Sequence, residues 1–154
     1  MQGWRLLAQD YFKAGQHMVD HYALVLFAIV GALMLAGCTN MTTLFLGIET
    51  LSIPMYVLAA SKKNDYKSNE AGFKYLIMGS FASGFLLFGV ALVYGATGSF
   101  DFATIQSGII SSAELPLFYY AGIILILIAM AFKVAVAPFH FWAPDVYDGS
   151  PAMV

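Results

Sequence analysis

Three ionisable residues, Glu49, Lys74 and Lys133, lie within long apolar stretches of this sequence. A charged side chain in the hydrocarbon core of a membrane costs at least about 2.5 to 3.5 kcal/mol, so it needs a polar cavity or a partner of opposite charge. Carboxyl and amino groups can gain and lose protons, which is the chemistry of a proton relay. We therefore take these three residues as candidate proton carriers.

Each of the three also has a purely structural interpretation. Lys74 stands at the start of an apolar stretch, where its long side chain can reach the polar interface. Glu49 lies too deep for that, but it can form a static buried ion pair. Lys133 is followed by further apolar residues up to Trp142, so it does not mark the end of its stretch. The sequence does not show whether Glu49 and Lys133 are close in space.

A buried amine beside a carboxylate can act as a switch. Burial disfavours the charged form of an amine, whereas a nearby carboxylate favours it. A change in the distance between Glu49 and Lys133 would then decide whether the lysine holds or releases its proton. His140 is a further candidate relay, because an imidazole titrates near neutral pH. A hydrogen-bonded structural histidine fits the position of His140 equally well.

The composition places these residues in a membrane protein. Of 154 residues, 60% are hydrophobic and 10% are charged, and the net charge is −2, with a mean hydropathy of +0.77. A soluble domain carries roughly 25% charged residues, and a nucleic-acid-binding domain has a basic face. We therefore expect the chain to have the lipid bilayer as a partner and to bind no nucleic acid. A soluble enzyme and a disordered chain are both excluded by the same figures.

Few residues are available to hold a metal or a redox group. Cys38 is the single cysteine, so the chain can form no internal disulfide and no cysteine-based metal site. His17 and His21 stand one helical turn apart, but too few further ligands accompany them for zinc. We therefore expect no metal and no cofactor in this chain.

Four apolar stretches are long enough, or nearly so, to cross a bilayer as helices, which takes about 20 residues. They cover residues 18–36, 41–60, 73–96 and 117–142. Pro138 lacks a backbone donor and clashes with the preceding turn, so we expect the fourth helix to be broken near it. Broken helices are tolerated within protein or beside a water-filled cavity. The sequence thus predicts an all-α membrane protein of four transmembrane helices.

The segments outside these spans also have helical patterns. Apolar residues recur at helical spacing in residues 1–17, which predicts an amphipathic helix in the membrane interface, followed by a transmembrane bundle over residues 18–154. Ser99 as a cap and Asp101 in the first turn predict a short surface helix over residues 102–109.

The third span contains pairs of small residues at helical spacing. Gly79 with Ser83, and Ser80 with Gly84, are each four residues apart. Helices in lipid approach one another closely at such faces. We therefore expect the third span to be buried among other helices.

The basic residues predict the orientation. With four crossings, the N-terminal segment, the loop after the second span and the C-terminal end share one side, which holds Arg5, Lys13, Lys62, Lys63 and Lys67. The opposite connections hold neither Lys nor Arg. Positive residues favour the cytoplasmic side, so we expect the N-terminal segment and the Lys62–Lys67 loop to be cytoplasmic.

Three segments carry a specific family resemblance. They are LGIETLSIPMYVLAA at 46–60, EAGFKYLIMGSFASGFLLFGVALVYGATGS at 70–99 and AFKVAVAPFHFWAPDVYDGSP at 131–151. The glutamate before Leu-Ser-x-Pro-x-Tyr, the Lys-Tyr pair, and the Phe-Lys before Pro-Phe-His-x-Trp-x-Pro-Asp resemble the antiporter-like subunit N of the proton-pumping NADH:quinone oxidoreductase, respiratory complex I. Mitochondrial subunit 2 and its plastid counterpart are similar. The resemblance extends from about Asp20 to Val154.

The resemblance implies roles for the candidate residues. Glu49 matches the glutamate of the family's fifth helix, Lys74 the lysine of the sixth, and Lys133 the lysine of the broken seventh. In the family these residues belong to a hydrophilic axis at mid-membrane, where the glutamate and the seventh-helix lysine are coupled. The family fold has fourteen helices in two inverted halves. We expect this chain to hold about helices four to seven, part of the first half-channel, and not to pump alone.

The resemblance also implies the surroundings of the chain. NADH, FMN, the iron–sulfur clusters and quinone would bind other subunits. The partners would be a neighbouring antiporter-like subunit and small membrane subunits of complex I, in a bacterial inner membrane. Two rival functions stay open: a subunit of a multisubunit cation/proton antiporter, which has similar lysines, and a structural scaffold in which Glu49 and Lys133 form a static pair.

Overall fold

The computed structural model describes residues 17–62, 64–111 and 114–151. This part of the chain contains six helices: α1 (His17–Ala36), α2 (Met41–Ala59), α3 (Tyr66–Thr97), α4 (Phe102–Ser111), α5 (Leu117–Lys133) and α6 (Ala143–Gly149). No strand occurs in these three ranges, and the predicted all-α class is confirmed. The predicted interfacial segment, residues 1–17, lies outside the described residues apart from His17.

The helices α1, α2 and α3 are each long and apolar enough to cross a membrane. Helix α3 has 32 residues and begins at Tyr66 rather than at the predicted residue 73. Asp65 caps it by accepting a hydrogen bond from the backbone N–H of Lys67 at 3.1 Å. The polar first turns of α3 therefore precede its apolar stretch. Hydropathy indicates where hydrocarbon begins, whereas the cap determines where the helix begins.

The fourth predicted helix ends well before residue 142, so its predicted length was wrong. Helix α5 stops at Lys133 after 17 residues, which is about 25 Å at 1.5 Å per residue. Ala135 takes a left-handed backbone conformation with φ 52°. The N–H of Ala135 donates to the Phe132 carbonyl at 3.1 Å, and the N–H of Val136 donates to the Ala131 carbonyl at 2.9 Å. This is a Schellman motif, a common end of an α-helix.

The helix break therefore has a different cause from the predicted one. Pro138 lies three residues beyond the left-handed Ala135, where the chain has already left the helix. The backbone hydrogen bonds after Lys133 turn the chain away first, and Pro138 follows in the irregular segment that leads to α6. The break thus lies directly after the candidate lysine.

The two connections that lack Lys and Arg meet at one end of the bundle. The Met41 N–H donates to the Phe100 carbonyl at 2.9 Å, and the Phe102 N–H donates to the Thr39 carbonyl at 3.2 Å. The alternation of α1, α2, α3 and α5 places Lys62 at the other end. The arrangement agrees with the alternating crossings assumed for the orientation.

The surface helix α4 is present, but Asp101 caps it instead of Ser99. The Asp101 carboxylate accepts hydrogen bonds from the Thr104 N–H and hydroxyl, both at 3.0 Å, whereas the Ser99 hydroxyl accepts from the Asp101 N–H at 3.1 Å. The bond from the Thr104 backbone, followed by that from its hydroxyl, holds the pKa of Asp101 below its ordinary value. Asp101 therefore prefers to be ionised at the start of α4.

Helix α3 is the centre of the packing, because it contacts α2, α5 and α6. Gly89 of α3 and Gly122 of α5 lie so close that a Cβ on either would press on the other's carbonyl oxygen. The opposite face of α3 is exposed, and nothing lies within 4 Å of a Cβ placed on Gly84. The expected burial of the third span is therefore confirmed for one face only, and Ser80 and Gly84 lie on the exposed face.

Candidate functional site

Three polar side chains lie on one face of α2: Glu49, Ser52 and Tyr56. They are three and four residues apart, which places them on one stripe of a helix with 3.6 residues per turn. Ser52 and Tyr56 are buried, with 7% and 4% of their surface exposed. The stripe carries one carboxylate and two hydroxyls into the interior of the bundle.

Lys133 reaches this stripe from the last turn of α5. Its Nζ donates to Tyr56 Oη at 3.0 Å and to Ser52 Oγ at 3.1 Å. The Nζ also lies 3.8 Å from Glu49 Oε1, and the two charged side chains are 17% and 21% exposed. The structure therefore brings together the two residues whose proximity the sequence left open. The ammonium is hydrogen-bonded by hydroxyls, while the carboxylate interacts with it mainly through charge.

Helix α3 completes the surroundings of the carboxylate. The Ser83 hydroxyl donates to Glu49 Oε1, although its single proton can alternatively go to the Gly79 carbonyl at 3.0 Å. A Cβ on Gly79 would collide with the Tyr56 hydroxyl. Sequence analysis interpreted Gly79 and Ser83 as packing residues only. In the structure Gly79 makes room for Tyr56, and Ser83 stabilises the charge of Glu49.

The hydroxyl residues of the site were missed from the sequence, although a usable signal was present. Ser52 and Tyr56 stand at i+3 and i+7 from Glu49, the spacing of a single helical face. A buried carboxylate with hydroxyls on its own face indicates a polar site in a membrane helix, because each polar group needs a partner there. Nothing comparable in the sequence linked Ser83 to the site.

An aromatic cluster connects the site to the segment after the helix break. The Tyr56 ring meets the Tyr75 ring edge-on at 4.6 Å between centroids, and Tyr75 stacks on Trp142 at 4.9 Å. Trp142 Nε1 donates to the Phe132 carbonyl at 3.3 Å. The indole therefore supplies a donor to the last turn of α5, one residue before Lys133.

Lys74 lies apart from Glu49 and Lys133. Its Nζ forms ion pairs with Glu70 Oε1 at 2.9 Å and Asp145 Oδ2 at 2.7 Å. Lys74 precedes Ser83 by nine residues of α3, which is about 14 Å along the helix axis. The structure thus gives Lys74 its own acidic partners.

His140 is also apart from the central pair. It lies in the irregular segment between α5 and α6, and it is exposed. Among the described residues, no group of three or more His, Cys, Asp or Glu side chains is arranged to hold a metal ion.

A cleft of about 1100 Å³ opens between α1, α2 and α3 at the end that carries Lys62. Tyr56 contributes to its lining, together with Leu24, Ile53 and Leu76, and charged and amide side chains surround its mouth. Tyr56 therefore touches both this cleft and Lys133.

Comparison with known proteins identifies the family of the chain. Residues 38–154 match the family model described as NADH:quinone oxidoreductase/Mrp antiporter, TM. The NADH-quinone oxidoreductase subunit N of Cytophaga hutchinsonii is 54% identical over 152 residues, covering 98% of this chain and 32% of the relative. The same-named subunit of Flavobacterium johnsoniae is 51% identical over 148 residues, with 96% and 32% covered. The chain thus spans about a third of the length of these curated relatives.

Two solved membrane complexes contain similar chains. One chain of respiratory complex I from Thermus thermophilus, solved with bound aureothin, superposes with a TM-score of 0.72 at 38% identity, covering 85% of this chain and 28% of that chain. A chain of the membrane-bound sulfane sulfur reductase, an archaeal respiratory complex, gives 0.77 at 33% identity, with 95% and 30% covered. Because the family model covers most of the sequence, the chain belongs to the NADH:quinone oxidoreductase/Mrp antiporter family of transmembrane subunits.

Proposed function

We propose that this chain is part of a subunit that moves protons across the membrane within an NADH:quinone oxidoreductase, and that Glu49 and Lys133 form its relay. The observation that carries the proposal is the position of Lys133. Its ammonium lies 3.8 Å from the Glu49 carboxylate, at the end of a helix that stops inside the bundle. A polar group at such a break marks ion pathways in other membrane proteins.

The contacts of Lys133 suit a side chain that must release its proton. The carboxylate is close enough to stabilise the ammonium through charge, yet at 3.8 Å no direct hydrogen bond has to break when they separate. A movement that lengthens this distance removes the counter-charge and favours release of the proton. Ser52 and Tyr56 then offer hydroxyls, which both donate and accept protons. Ser83 can hold the carboxylate while Lys133 is away.

The cleft beside Tyr56 supplies the route to one side of the membrane. It opens at the end of the bundle with Lys62 and Asp65, which the distribution of basic residues assigns to the cytoplasm. In this proposal a proton enters through the cleft, passes the Tyr56 hydroxyl and reaches Lys133. His140 remains a candidate carrier for a neighbouring step.

Electron transfer would take place elsewhere in the assembly. The relatives are subunits N of NADH-quinone oxidoreductases, and in this proposal the redox cofactors belong to other subunits. The adjoining membrane subunits would transmit the driving movement to α5. This chain would contribute the charges that respond to that movement, in the bacterial inner membrane.

Substitutions at Lys133 test the proposal directly in the full-length protein within its complex. Lys133→Met and Lys133→Arg should each lower NADH-driven proton uptake into inverted membrane vesicles at least tenfold, because neither side chain can exchange a proton at working pH. Glu49→Gln should retain more flux than Lys133→Met, since it removes the modulating charge and keeps the carrier. Glu114→Gln, at an exposed glutamate on the far side, is the matched control and should pump normally.

The same experiment separates the rival functions. A static ion pair predicts that assembled Lys133→Met complexes pump as well as the wild type, and that result would remove the relay. A cation/proton antiporter predicts transport that depends on a sodium gradient and continues without NADH. The family model also covers Mrp antiporters, so sodium dependence is measured in every preparation.

A further inference from the structure

A second charged cluster fastens α6 to α3. Lys74 Nζ lies 2.7 Å from Asp145 Oδ2 and 2.9 Å from Glu70 Oε1. Glu70 stands one turn before Lys74 on α3, whereas Asp145 is in the first turn of α6. Lys74 therefore connects α3 to α6, the short helix that follows the end of α5. Both of its partners are carboxyl groups, and a nearby carboxylate favours the charged form of a lysine.

The short helix α6 depends on α3 for its position. It has seven residues, too few for a helix to be stable alone. Val146 is buried with Phe132 and Trp142, and a Cβ on Gly149 would collide with Ala71 of α3. Helix α6 therefore lies directly on α3, and the Lys74–Asp145 ion pair holds its first turn.

Trp142 transmits this position to the site. It precedes α6 by one residue and stacks on Tyr75 at 4.9 Å. Its Nε1 donates to the carbonyl of Phe132 at 3.3 Å, and Phe132 directly precedes Lys133. A shift of α6 would therefore move the donor that holds the end of α5. Tyr75 in turn packs against Tyr56, which binds the Lys133 ammonium.

We propose that Lys74 and Asp145 are positioning residues: their ion pair fixes Trp142 against the Phe132 carbonyl and so sets where Lys133 stands relative to Glu49. Lys74 then acts through its permanent charge and does not carry a proton. This inference rests on the proposed relay function. It differs from the expectation, drawn from sequence, that Lys74 is itself a carrier.

The decisive variant is Lys74→Arg in the full-length protein within its complex. An arginine keeps the charge and can pair with both carboxylates, but it cannot release a proton. A positioning role predicts that Lys74→Arg retains at least about half of the NADH-driven proton flux, whereas Lys74→Met and Asp145→Asn each lower it about tenfold because reacting groups are sensitive to small misplacements. Combining the last two substitutions should lower the flux no further, since both remove one interaction.

Two further variants keep the test clear. Trp142→Phe preserves the ring stacking but removes the donor to the Phe132 carbonyl, so it should lower flux and change the pH profile of pumping in the same sense as Asp145→Asn. The Trp142→Phe variant replaces Lys74→Met in the test if the Lys74→Met complex fails to assemble. Lys67→Met is the matched control, because the Lys67–Asp148 pair also joins α3 to α6 but is more exposed, at 71% and 76% against 42% and 58% for Lys74–Asp145; it should pump normally.

Each outcome decides the matter. If Lys74→Arg pumps as poorly as Lys74→Met, Lys74 is a proton carrier and the positioning role is wrong. If Lys74→Met and Asp145→Asn pump like the wild type, the ion pair has no part in transport. Lys133→Arg is measured in parallel: normal pumping by that variant would refute the relay itself, independently of the Lys74 results.

Discussion

Glu49 and Lys133 should be coupled energetically in the free energy of unfolding as well as in proton transport. At 3.8 Å between Nζ and Oε1, two unit charges attract by about 4 kcal/mol at an effective dielectric constant of about 20. The two side chains remain partly accessible, at 17% and 21% exposure, and this weakens their attraction. We therefore expect a measured coupling energy of about half the calculated attraction, roughly 2 kcal/mol. Lys133→Met and Glu49→Gln should each destabilise the protein, because each leaves one charge without its partner.

The double variant distinguishes a relay from a static pair. Glu49→Gln with Lys133→Met leaves no charge in the site, so it should be more stable than the sum of the single changes predicts, by roughly 2 kcal/mol. The free energy of unfolding is measured by titrating the detergent-solubilised full-length protein with a denaturing detergent. Proton flux should stay low in the double variant, since the carrier is absent although the charges balance.

The exposed Lys67–Asp148 pair provides the control for this cycle. Its ion pair has a distance of 3.2 Å but is largely in solvent, so the same double substitution there should give a coupling energy of no more than about 0.5 kcal/mol. Additive effects of Glu49→Gln and Lys133→Met, within about 0.5 kcal/mol, would refute the proximity argued above. Wild-type flux in the double variant would refute the relay.

Four further predictions concern individual residues. Gly79→Leu should lower flux and cost about 1 to 3 kcal/mol of stability, because its side chain collides with the hydroxyl of the site, whereas Gly84→Ala, in open space, should change neither when both are measured by vesicle pumping and unfolding. Ala135→Gly should raise the unfolding free energy by about 1 kcal/mol, because a left-handed conformation strains alanine and not glycine; a loss of stability would contradict the described helix end. The lowered pKa of Asp101 stabilises the fold above the ordinary carboxyl value of about 3.9, and this contribution is lost as pH falls through the lower folded-state pKa; comparing melting temperatures of the wild type and Asp101→Ala from pH 6 to pH 3 should show the difference shrinking at the acid end, and a constant difference would contradict it. His140→Gln should reduce proton flux, because it removes a side chain that can both accept and donate a proton; unchanged flux would exclude His140 from the relay.

The sequence predicted the helices better than their ends. Apolar stretches of about 20 residues identified α1, α2 and α3, because the length of a membrane helix is determined by the thickness of the bilayer. The end of α5 depends instead on the left-handed backbone of Ala135, a residue that usually favours a continuing helix. Glycine normally marks such a position, so the sequence contained no local signal and the proline farther on was the nearest substitute.

Only the charged residues of the site were predicted from the sequence. Charged residues in apolar stretches are conspicuous, and Glu49 and Lys133 were found on that basis. Ser83 was not, because a serine among small residues is an ordinary packing residue of membrane helices. The placement of Lys74 beside Asp145 depends on α6 folding back onto α3, a tertiary contact that no spacing within either helix indicates.

The end of α5 also gives Lys133 electrostatic support that stays with the lysine whenever the helix moves. The peptide dipoles of a helix add up to about half a negative charge at its C-terminus. A helix that continued to residue 142 would carry this charge to the membrane surface, where water screens it. Since α5 stops at Lys133, the charge lies inside the bundle at the turn that carries the lysine, and a partly buried interaction of this kind reaches about 2 kcal/mol. The lysine thus has one negative neighbour in the backbone of its own helix, which moves with it, and a second negative neighbour across the bundle in Glu49. Because the backbone charge remains when Glu49 is replaced, losing the carboxylate should alter pumping less than losing the lysine.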